Sequence, residues 1–328
     1  MTLIHLWSIL LVLAAEPVDV WLDVDTANGV GDVDDGLMMI QCFHSPEIAV
    51  RGVSVLFGNA SLDQAMPIAR EICRKFGPAG IEPQAGSSSA EDRGQPTDAV
   101  KALAKELERR PLVILAVGPA TNIATLLATR PDLGPRITKL IMVAGRRPKQ
   151  RFVTSPRQWQ PHPDANFEKD VEGMRVILAS SVPLVLAPWE VSSHVWLSRA
   201  DLERMRNISP SGEWIARTSQ YWLTLWEASI DERGFNPFDT LAAGYVTHPD
   251  LIESMNVRVE IVEDLDDRAL PKEKAQGKTK HYMLVHEAGD SGREAIYCYR
   301  PKAAFHDLLV DRLAGTHVVV PPAPSKKP

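Results

Sequence analysis

The chain has 328 residues, of which 45% are hydrophobic and 24% charged, so it can bury a large core and has an ordinary globular composition. A formal net charge of −6 without any long Lys or Arg run argues against a nucleic-acid-binding surface. The three cysteines (Cys42, Cys73 and Cys298) are too scattered for a disulfide framework or a cysteine metal site.

The N-terminal segment 1–15 contains an apolar stretch from Leu3 to Ala15, which is interrupted only by His5 and Ser8. The stretch is too short to cross a bilayer, but its length suits the hydrophobic region of a signal peptide. No Lys or Arg precedes it, and a packed N-terminal helix is the alternative. We expect an exported or periplasmic protein if this segment is a signal peptide, and a cytoplasmic protein otherwise.

Apolar runs typical of buried strands then alternate with amphipathic helical patterns along most of the chain. The first five predicted strands cover residues 18–25, 48–56, 112–117, 137–143 and 184–186. The first predicted helix follows the first strand and ends near residue 44. Further helices are predicted over residues 61–76, 100–108, 121–128 and 170–179. This alternation predicts an α/β fold with a mostly parallel open sheet covered by helices on both faces.

The C-terminal third is predicted from weaker patterns. Helices are predicted over residues 212–227, 237–247 and 303–313, and strands over residues 257–262 and 281–285, on either side of an exposed loop at 264–280. The Pro-rich composition of the end of segment 316–328 predicts a disordered tail. No linker divides the rest, so residues 16–315 are predicted to form a single domain.

The richest motif is an acidic loop from Asp23 to Asp35, which carries five carboxylates within thirteen residues. It follows the first predicted strand and precedes a helical pattern, and open α/β sheets place their ligand sites at such strand-to-helix crossovers. Mutual repulsion makes this density costly unless a cation compensates, and hard oxygen ligands suit Ca²⁺ or Mg²⁺. An acidic, solvated turn is the alternative interpretation.

Four further segments follow in order. They read Phe-Gly-Asn-Ala-Ser at 57–61, Ala-Val-Gly-Pro-Ala-Thr-Asn at 116–122, Asp-Ala-Asn-Phe at 164–167 and Asn-Pro-Phe-Asp-Thr-Leu-Ala at 236–242. Together with the acidic loop they resemble the inosine-uridine-preferring nucleoside hydrolase family, from about residue 18 to residue 313. The resemblance implies a single α/β domain with a Rossmann-like core, a Ca²⁺ cofactor, a nucleoside substrate and assembly into a dimer or tetramer.

The resemblance also implies a metal site. By that match Asp25, Asp35 and Asp239 are carboxylate ligands of Ca²⁺, and Val117 supplies a backbone carbonyl. Asp25 is in addition placed to take a proton from an attacking, Ca²⁺-bound water, while Asp23 orients the loop. Three carboxylates and one carbonyl leave room in the shell of Ca²⁺ for a water and two sugar hydroxyls.

A second set of matched residues is implied to bind the substrate. Asp34 corresponds to the acid that binds a ribose hydroxyl, and Asn59 to an Asn that also contacts the ribose. Asp164 and Asn166 match an element that grips the far end of the sugar, and Asp239 contacts both sugar and metal. The implied reaction is hydrolysis of the N-glycosidic bond of a ribonucleoside to free base and ribose.

The chain departs from the family pattern in several places. Residues 28–32 lengthen the first loop, so Asn28 or Asp32 could enter the site, and at 164 an Asp stands for the usual Glu. Phe238 replaces a His that in many members protonates the leaving base, which leaves His162, an unplaced residue or water as the donor. The basic and aromatic stretch 146–162 could contact a nucleobase or a negatively charged substrate, or form a solvated loop.

Two other functions compete with nucleoside hydrolysis. The Asp23-Val-Asp25-Thr26 sequence also resembles haloacid-dehalogenase phosphatases, in which Asp23 would be the nucleophile and Mg²⁺ the metal. The later Lys and distal acidic pair of that family have no convincing match. The third hypothesis is a non-catalytic nucleoside- or ribose-binding protein.

Overall fold

The strands of this computed structural model form one open sheet of nine strands within residues 16–287 and 292–316, which the structure describes. The strands are β1 (Val18–Val24), β2 (Ile48–Val55), β3 (Gln84–Ala85), β4 (Leu112–Ala116), β5 (Ile137–Met142), β6 (Leu184–Leu186), β7 (Ile252–Leu265), β8 (Thr279–His286) and β9 (Arg293–Pro301). Their order across the sheet is β3-β2-β1-β4-β5-β6-β9-β7-β8.

Helices cover both faces of the sheet. They are α1 (Asp34–Phe43), α2 (Leu62–Phe76), α3 (Asp98–Arg109), α4 (Thr121–Thr129), α5 (Ala165–Lys169), α6 (Val171–Ala179), α7 (Trp189–Ser192), α8 (Arg199–Arg206), α9 (Pro210–Thr218), α10 (Gln220–Ser229), α11 (Thr240–Thr247), α12 (Pro271–Ala275) and α13 (Ala304–Leu313). Two apolar clusters fill the space between helices and sheet. The predicted single-domain α/β fold with a mostly parallel sheet is confirmed.

The sheet is parallel from β3 to β9, and β7 pairs antiparallel with both β9 and β8. The chain winds outward from β1 through β2 to β3, then returns to β4 on the other side of β1 and continues through β5 to β6. The direction of winding therefore reverses between β1 and β4. Open α/β folds bind ligands at such a point, beyond the carboxyl ends of the strands.

Buried apolar residues explain why the central strands form. Val20, Leu22 and Val24 of β1 are fully buried, and β4 is buried along its whole length. Strands covered on both faces have near-continuous hydrophobic sequences, which is why β1 and β4 were predictable. Asp25 directly follows β1, and the backbone carbonyl of Val117 directly follows β4, so both polar groups lie at the same edge of the parallel sheet.

The C-terminal third differs most from the sequence-based expectations. The predicted helix over 212–227 is two helices, α9 and α10, interrupted at Ser219, whose backbone has φ −87° and ψ −6°. The segment 264–280, predicted as an exposed loop, contains α12 and the ends of β7 and β8. Its Lys280 forms ion pairs of 2.7 Å with Glu168 and 2.9 Å with Asp267, which tie it to the domain.

The predicted signal peptide or N-terminal helix at 1–15 lies outside the described residues, as does almost all of the predicted tail. Among the residues that are described, none of the helices is long and apolar enough to cross a membrane.

Candidate active site

The acidic loop folds back on itself at the carboxyl end of β1. Asp25 follows the strand, and Asp34 and Asp35 form the first turn of α1. The backbone N–H of Asp25 donates a 2.8 Å hydrogen bond to Oδ1 of Asp35, and the N–H of Asp35 donates a 3.1 Å bond to Oδ1 of Asp34. The partial positive charge of the α1 N-terminus favours the ionised form of both helix carboxylates.

Asp239 joins this loop from the other end of the chain. It immediately precedes α11, which packs against α1, and one carboxylate oxygen each from Asp34, Asp35 and Asp239 lie within 4.8 Å of one another. All three side chains are buried, and Oδ2 of Asp239 has no hydrogen-bond partner among the described residues. Burial and mutual repulsion raise the pKa of each of these carboxyl groups.

These features fit a divalent cation. Buried carboxylates are stable only when paired, hydrogen-bonded or bound to metal, and Oδ2 of Asp239 has no hydrogen-bond partner among the described residues. An all-oxygen donor set suits hard cations such as Ca²⁺ or Mg²⁺ rather than zinc. The cluster can therefore hold a metal ion.

The Asp25 carboxylate lies next to this cluster and is held by Asn59. Its Oδ2 accepts a 2.7 Å bond from the Asn59 backbone N–H, and the Asn59 side-chain amide lies 3.4 Å from Oδ1 of Asp25 and 3.2 Å from Oδ2 of Asp35. Gly58 allows this approach, because a Cβ there would lie 1.6 Å from Oδ2 of Asp25. Burial raises the pKa of Asp25, and the positive charge of Lys169 opposes that rise.

The predicted carbonyl ligand is close to the predicted sugar-binding element. The side-chain amide of Asn166, in α5, donates bonds of 2.5 Å to the Val117 carbonyl and 3.1 Å to the Val143 carbonyl. Oδ2 of Asp164 accepts a 2.9 Å bond from the backbone N–H of Gly145, and burial raises the pKa of this carboxyl group to about 6. The ends of β4 and β5 and the start of α5 thus form one polar wall.

A cavity of about 340 Å³ opens above these groups. Its lining residues are Gly31, Asp32, Asp34, Asn59, Val117, Val143, Phe152, His162, Pro163, Asp164, Ala165, Asn166, Lys169, Trp189, Trp222, Phe238 and Asp239. The polar part of the lining is rich in carboxylates and is called the floor; it consists of Asp32, Asp34, Asn59, Asp164, Asn166, Lys169 and Asp239. The rings of Phe152, His162, Trp189, Trp222 and Phe238 form the aromatic wall. A ligand with a polar, hydroxylated half and a flat half would match this division.

The aromatic wall contains two groups of rings in contact. Phe152 stacks on Trp189 with ring centroids 4.9 Å apart, and His162 stacks on Trp226 at 5.3 Å. The His162 ring also meets the Phe238 ring edge-on at 6.0 Å. Burial lowers the pKa of His162 to about 4, so its imidazole is neutral near pH 7.

The basic stretch 146–162 contributes only part of itself to the cavity. Arg146 is buried, forms a 2.9 Å ion pair with Asp267 and lies 4.0 Å from the centre of the Phe152 ring. Arg147 forms a 2.9 Å ion pair with Glu190, away from the cavity lining. These two arginines therefore support the wall rather than face a ligand.

The extra residues of the first loop have separate roles. The Asn28 side-chain amide donates a 3.1 Å bond to the Val33 carbonyl, which braces the loop from inside. Asp32 lines the cavity, and its Oδ1 accepts a 2.7 Å bond from the Val33 N–H at the start of α1. Asp32 is thus one more carboxylate beside Asp34, and it lies at the site that the lengthened loop was expected to let it enter.

Asp23 lies beneath the site, outside the cavity lining. It is fully buried, accepts a bond from the hydroxyl of Ser54 and a 2.8 Å bond from the side-chain amide of Asn122, and its backbone carbonyl accepts from Val117. Both of these side-chain bonds are accepted by Oδ1 of Asp23, and they come from residues outside the cavity lining. The structure therefore gives the phosphatase alternative no support.

Among the cavity residues whose side chains carry a polar atom, Lys169, Trp189 and Trp222 were not predicted. Lys169 could have been found, because it follows Asn166 by three positions and so lies on the same face of a helix. The two tryptophans come from α7 and α10, and nothing in their local sequence connects them with the acidic loop.

Comparison with known proteins is consistent with this architecture. A family model described as inosine-uridine preferring nucleoside hydrolase matches residues 20–294. The pyrimidine-specific ribonucleoside hydrolase RihA of Klebsiella pneumoniae (strain 342) is 23% identical over 320 residues, which is 86% of this chain and 95% of the relative.

Two solved structures share the fold. A plant nucleoside hydrolase, PpNRh1, is 18% identical with a TM-score of 0.74 and covers 91% of this chain and 99% of its own. A purine-preferring ribonucleoside hydrolase from Gardnerella vaginalis is 18% identical with a TM-score of 0.72 and covers 90% and 98% respectively.

Proposed function

The chain belongs to the inosine-uridine preferring nucleoside hydrolase family, and on this premise we propose that Asp25 activates the water that cleaves a ribonucleoside. The overall reaction is hydrolysis of an N-glycosidic bond, and the chain is a nucleoside hydrolase. One similar protein is named pyrimidine-specific and another purine-preferring, so the proposal covers ribonucleosides as a class. The observation that carries it is the hydrogen bond between Asn59, which lines the cavity, and Asp25, which is fully buried behind the lining and next to the Asp cluster.

Asp25 is the proposed general base. Its Oδ2 is held by the Asn59 N–H, which fixes the plane of the carboxylate. The nearby charge of Lys169 favours the ionised, proton-accepting form. A positioned carboxylate that accepts the proton of a water contributes about 10²- to 10⁴-fold to a hydrolysis rate.

Asp25, Asp35, Asp239 and the Val117 carbonyl are the proposed ligands of Ca²⁺. When bound, the ion would lower the pKa of an adjacent water and neutralise part of the carboxylate repulsion. Asp34, whose oxygen lies in the same buried cluster, is the proposed partner of a ribose hydroxyl. The unpartnered Oδ2 of Asp239 supports a ligand role for that residue.

The remaining polar groups are proposed to hold the sugar. Asn59, Asp164 and Asn166 line the cavity. Cleavage of the bond to the base leaves positive charge on the sugar ring, in an oxocarbenium-like state. The floor carboxylates are already oriented, so they can stabilise that charge without reorganising.

The competing functions have weaker support. Asp23, the nucleophile required by the phosphatase hypothesis, is enclosed by Ser54 and Asn122. A non-catalytic binding protein would have no need of Asp25 next to an Asp cluster at the cavity floor. A hydrolase with Asp25 as the base accounts for the enclosed Asp23 and for the position of Asp25 next to the Asp cluster.

The decisive experiment is an assay of purified protein with Ca²⁺ on inosine, adenosine, uridine and cytidine, scored for free base and reducing sugar. We expect both products in equal amounts from at least one substrate, and a rate lower by about 10²- to 10⁴-fold from the Asp25→Asn variant. Release of phosphate from a phosphomonoester, or nucleoside binding without any product, would contradict the proposal.

A further inference from the structure

The aromatic wall of the cavity contains ring nitrogens without hydrogen-bond partners. Nε2 of His162 and Nε1 of Trp189 and Trp222 are buried and unpartnered among the described residues, and all three side chains line the cavity. No described residue bonds to Nδ1 of His162 either. Buried polar groups are nearly always paired, so this set is incomplete until a ligand with polar atoms binds.

His162 is held in one place for such a contact. Its ring lies between the face of Trp226 and the edge of Phe238, at centroid distances of 5.3 and 6.0 Å. Its backbone N–H donates a 2.8 Å bond to the Phe152 carbonyl, and the neighbouring Pro161 carbonyl accepts a 3.0 Å bond from Arg268. An imidazole fixed by stacking and by its backbone is preorganised for hydrogen bonding.

We propose that His162 is the hydrogen-bonding contact to the leaving nucleobase and a determinant of which leaving groups this site can activate. The inference rests on the proposed hydrolase function and deepens it. The flat ring of a base can stack on the aromatic wall, and its carbonyl oxygens and ring nitrogens supply the missing polar atoms. Phe238, although next to Asp239, cannot provide such a contact.

The neutral state of the imidazole sets what His162 does in the reaction. As the bond between the sugar C1′ and the base nitrogen breaks, its electron pair goes to the base, while the water oxygen bonds to C1′ and its proton passes to Asp25. The N–H of His162 stabilises the negative charge that develops on the base and keeps its own proton. The departing base takes a proton from solvent. A hydrogen bond that strengthens in this way accelerates the chemical step.

The test compares two kinds of leaving group in the His162→Phe variant, which keeps a flat ring for stacking on Trp226. Natural nucleosides need help to release the base, whereas nitrophenyl riboside releases a stable anion unaided. We expect kcat/KM for inosine and uridine to fall about 10- to 100-fold, and that for nitrophenyl riboside to change less than about 3-fold. His162→Gln, which retains polar atoms, should recover part of the lost activity.

Several outcomes would overturn the inference. An equal loss for both substrate kinds would make His162 a purely structural residue, and no loss for natural nucleosides would place the base contact elsewhere. His194→Phe is the matched control, since His194 is exposed and outside the cavity lining, and it should leave both activities unchanged. If the wild-type protein cleaves neither substrate kind, the proposed function fails, and this inference fails with it.

A second readout does not depend on turnover. Free hypoxanthine or uracil should inhibit cleavage of nitrophenyl riboside competitively, and the inhibition constant should rise about 10-fold or more in His162→Phe, the effect of roughly one lost hydrogen bond. An unchanged inhibition constant would count against a direct contact between His162 and the base.

Discussion

The backbone N–H of Asp25 is hydrogen-bonded at 2.8 Å to the side chain of Asp35, ten residues further along the chain. This bond closes the acidic loop at its base and brings the two carboxylates together regardless of what lies between them. Of the extra residues, Asn28 is buried and Asp32 lines the cavity, and only the tip projects outward, where Val30 is 60% exposed.

The first prediction concerns metal removal. A chelator should abolish activity and lower the melting temperature, because it leaves the buried carboxylates of Asp34, Asp35 and Asp239 to repel one another. Added Ca²⁺ should restore both, and Mg²⁺ and Zn²⁺ should do so less well. Thermal unfolding with and without each ion measures the effect independently of turnover.

Asp239→Asn is the matching variant. Removing one of the repelling charges should raise the melting temperature of the metal-free protein and eliminate its further rise with Ca²⁺. Asp98→Asn is the control, since the Asp98 side chain is 77% exposed and its charge is not part of the buried cluster. A Ca²⁺-dependent rise that survives in Asp239→Asn would exclude Asp239 as a ligand.

The second prediction tests the general base. Asp25→Asn keeps an oxygen near the Asn59 N–H but cannot accept a proton at neutral pH, so kcat should fall by about 10²- to 10⁴-fold. Substrate affinity, measured by equilibrium binding, should change much less. Asp32→Asn should cost far less turnover, and the opposite order of the two variants would assign the base to Asp32.

The third prediction uses Gly58. Its Cβ position lies 1.6 Å from Oδ2 of Asp25, so Gly58→Ala must displace that carboxylate. A displacement of about 1 Å at a reacting group can cost roughly 10²-fold in rate, and we expect a loss of at least that size in kcat. Gly134→Ala is the control, because its nearest neighbour, Leu127, would be 3.7 Å away. Equal activities of the two alanine variants would show that Asp25 need not be held here.

The fourth prediction concerns the sugar. Asp34 and Asn59 line the cavity floor, and a substrate without a 2′-hydroxyl would leave these buried polar groups unpaired. Sites built around a hydroxyl can reject its absence by about 10⁴-fold or more. We therefore expect very slow cleavage of 2′-deoxynucleosides, although their bond to the base is intrinsically weaker. Rates of deoxyinosine and inosine hydrolysis within about tenfold would contradict this view of the floor.

The sequence was most informative for strands whose own residues determine that they form. Val18–Val24 and Leu112–Ala116 are buried on both faces, so their continuous apolar composition identified them as inner strands. The strand Arg293–Pro301 was not predicted, because its apolar run covers only residues 295–299 and charged residues flank it on both sides. The pairing that stabilises it with Ile252–Leu265 is a long-range contact that local patterns do not reveal.

The same distinction applies to the site. The approach of Asp239 to the acidic loop was inferred only through a family resemblance, because it depends on the packing of α11 against α1. His162 was named as a candidate proton donor, but its stacking on Trp226 and its low pKa could not be read from neighbouring residues. Burial and unpaired atoms are properties of the assembled cavity.

The switch of winding direction between β1 and β4 also separates two kinds of parts. The residues proposed for bond cleavage lie at strand ends or helix starts that are fixed by the sheet. Most of the aromatic wall comes instead from segments 146–163 and 222–238, and α7 adds Trp189. Exchanging those two segments with the equivalents of a relative would therefore alter which bases are accepted and leave the hydrolytic apparatus intact. Base recognition and bond cleavage are thus assigned to different segments of the chain, so the preference for a nucleobase could be changed without rebuilding the residues that cleave the bond.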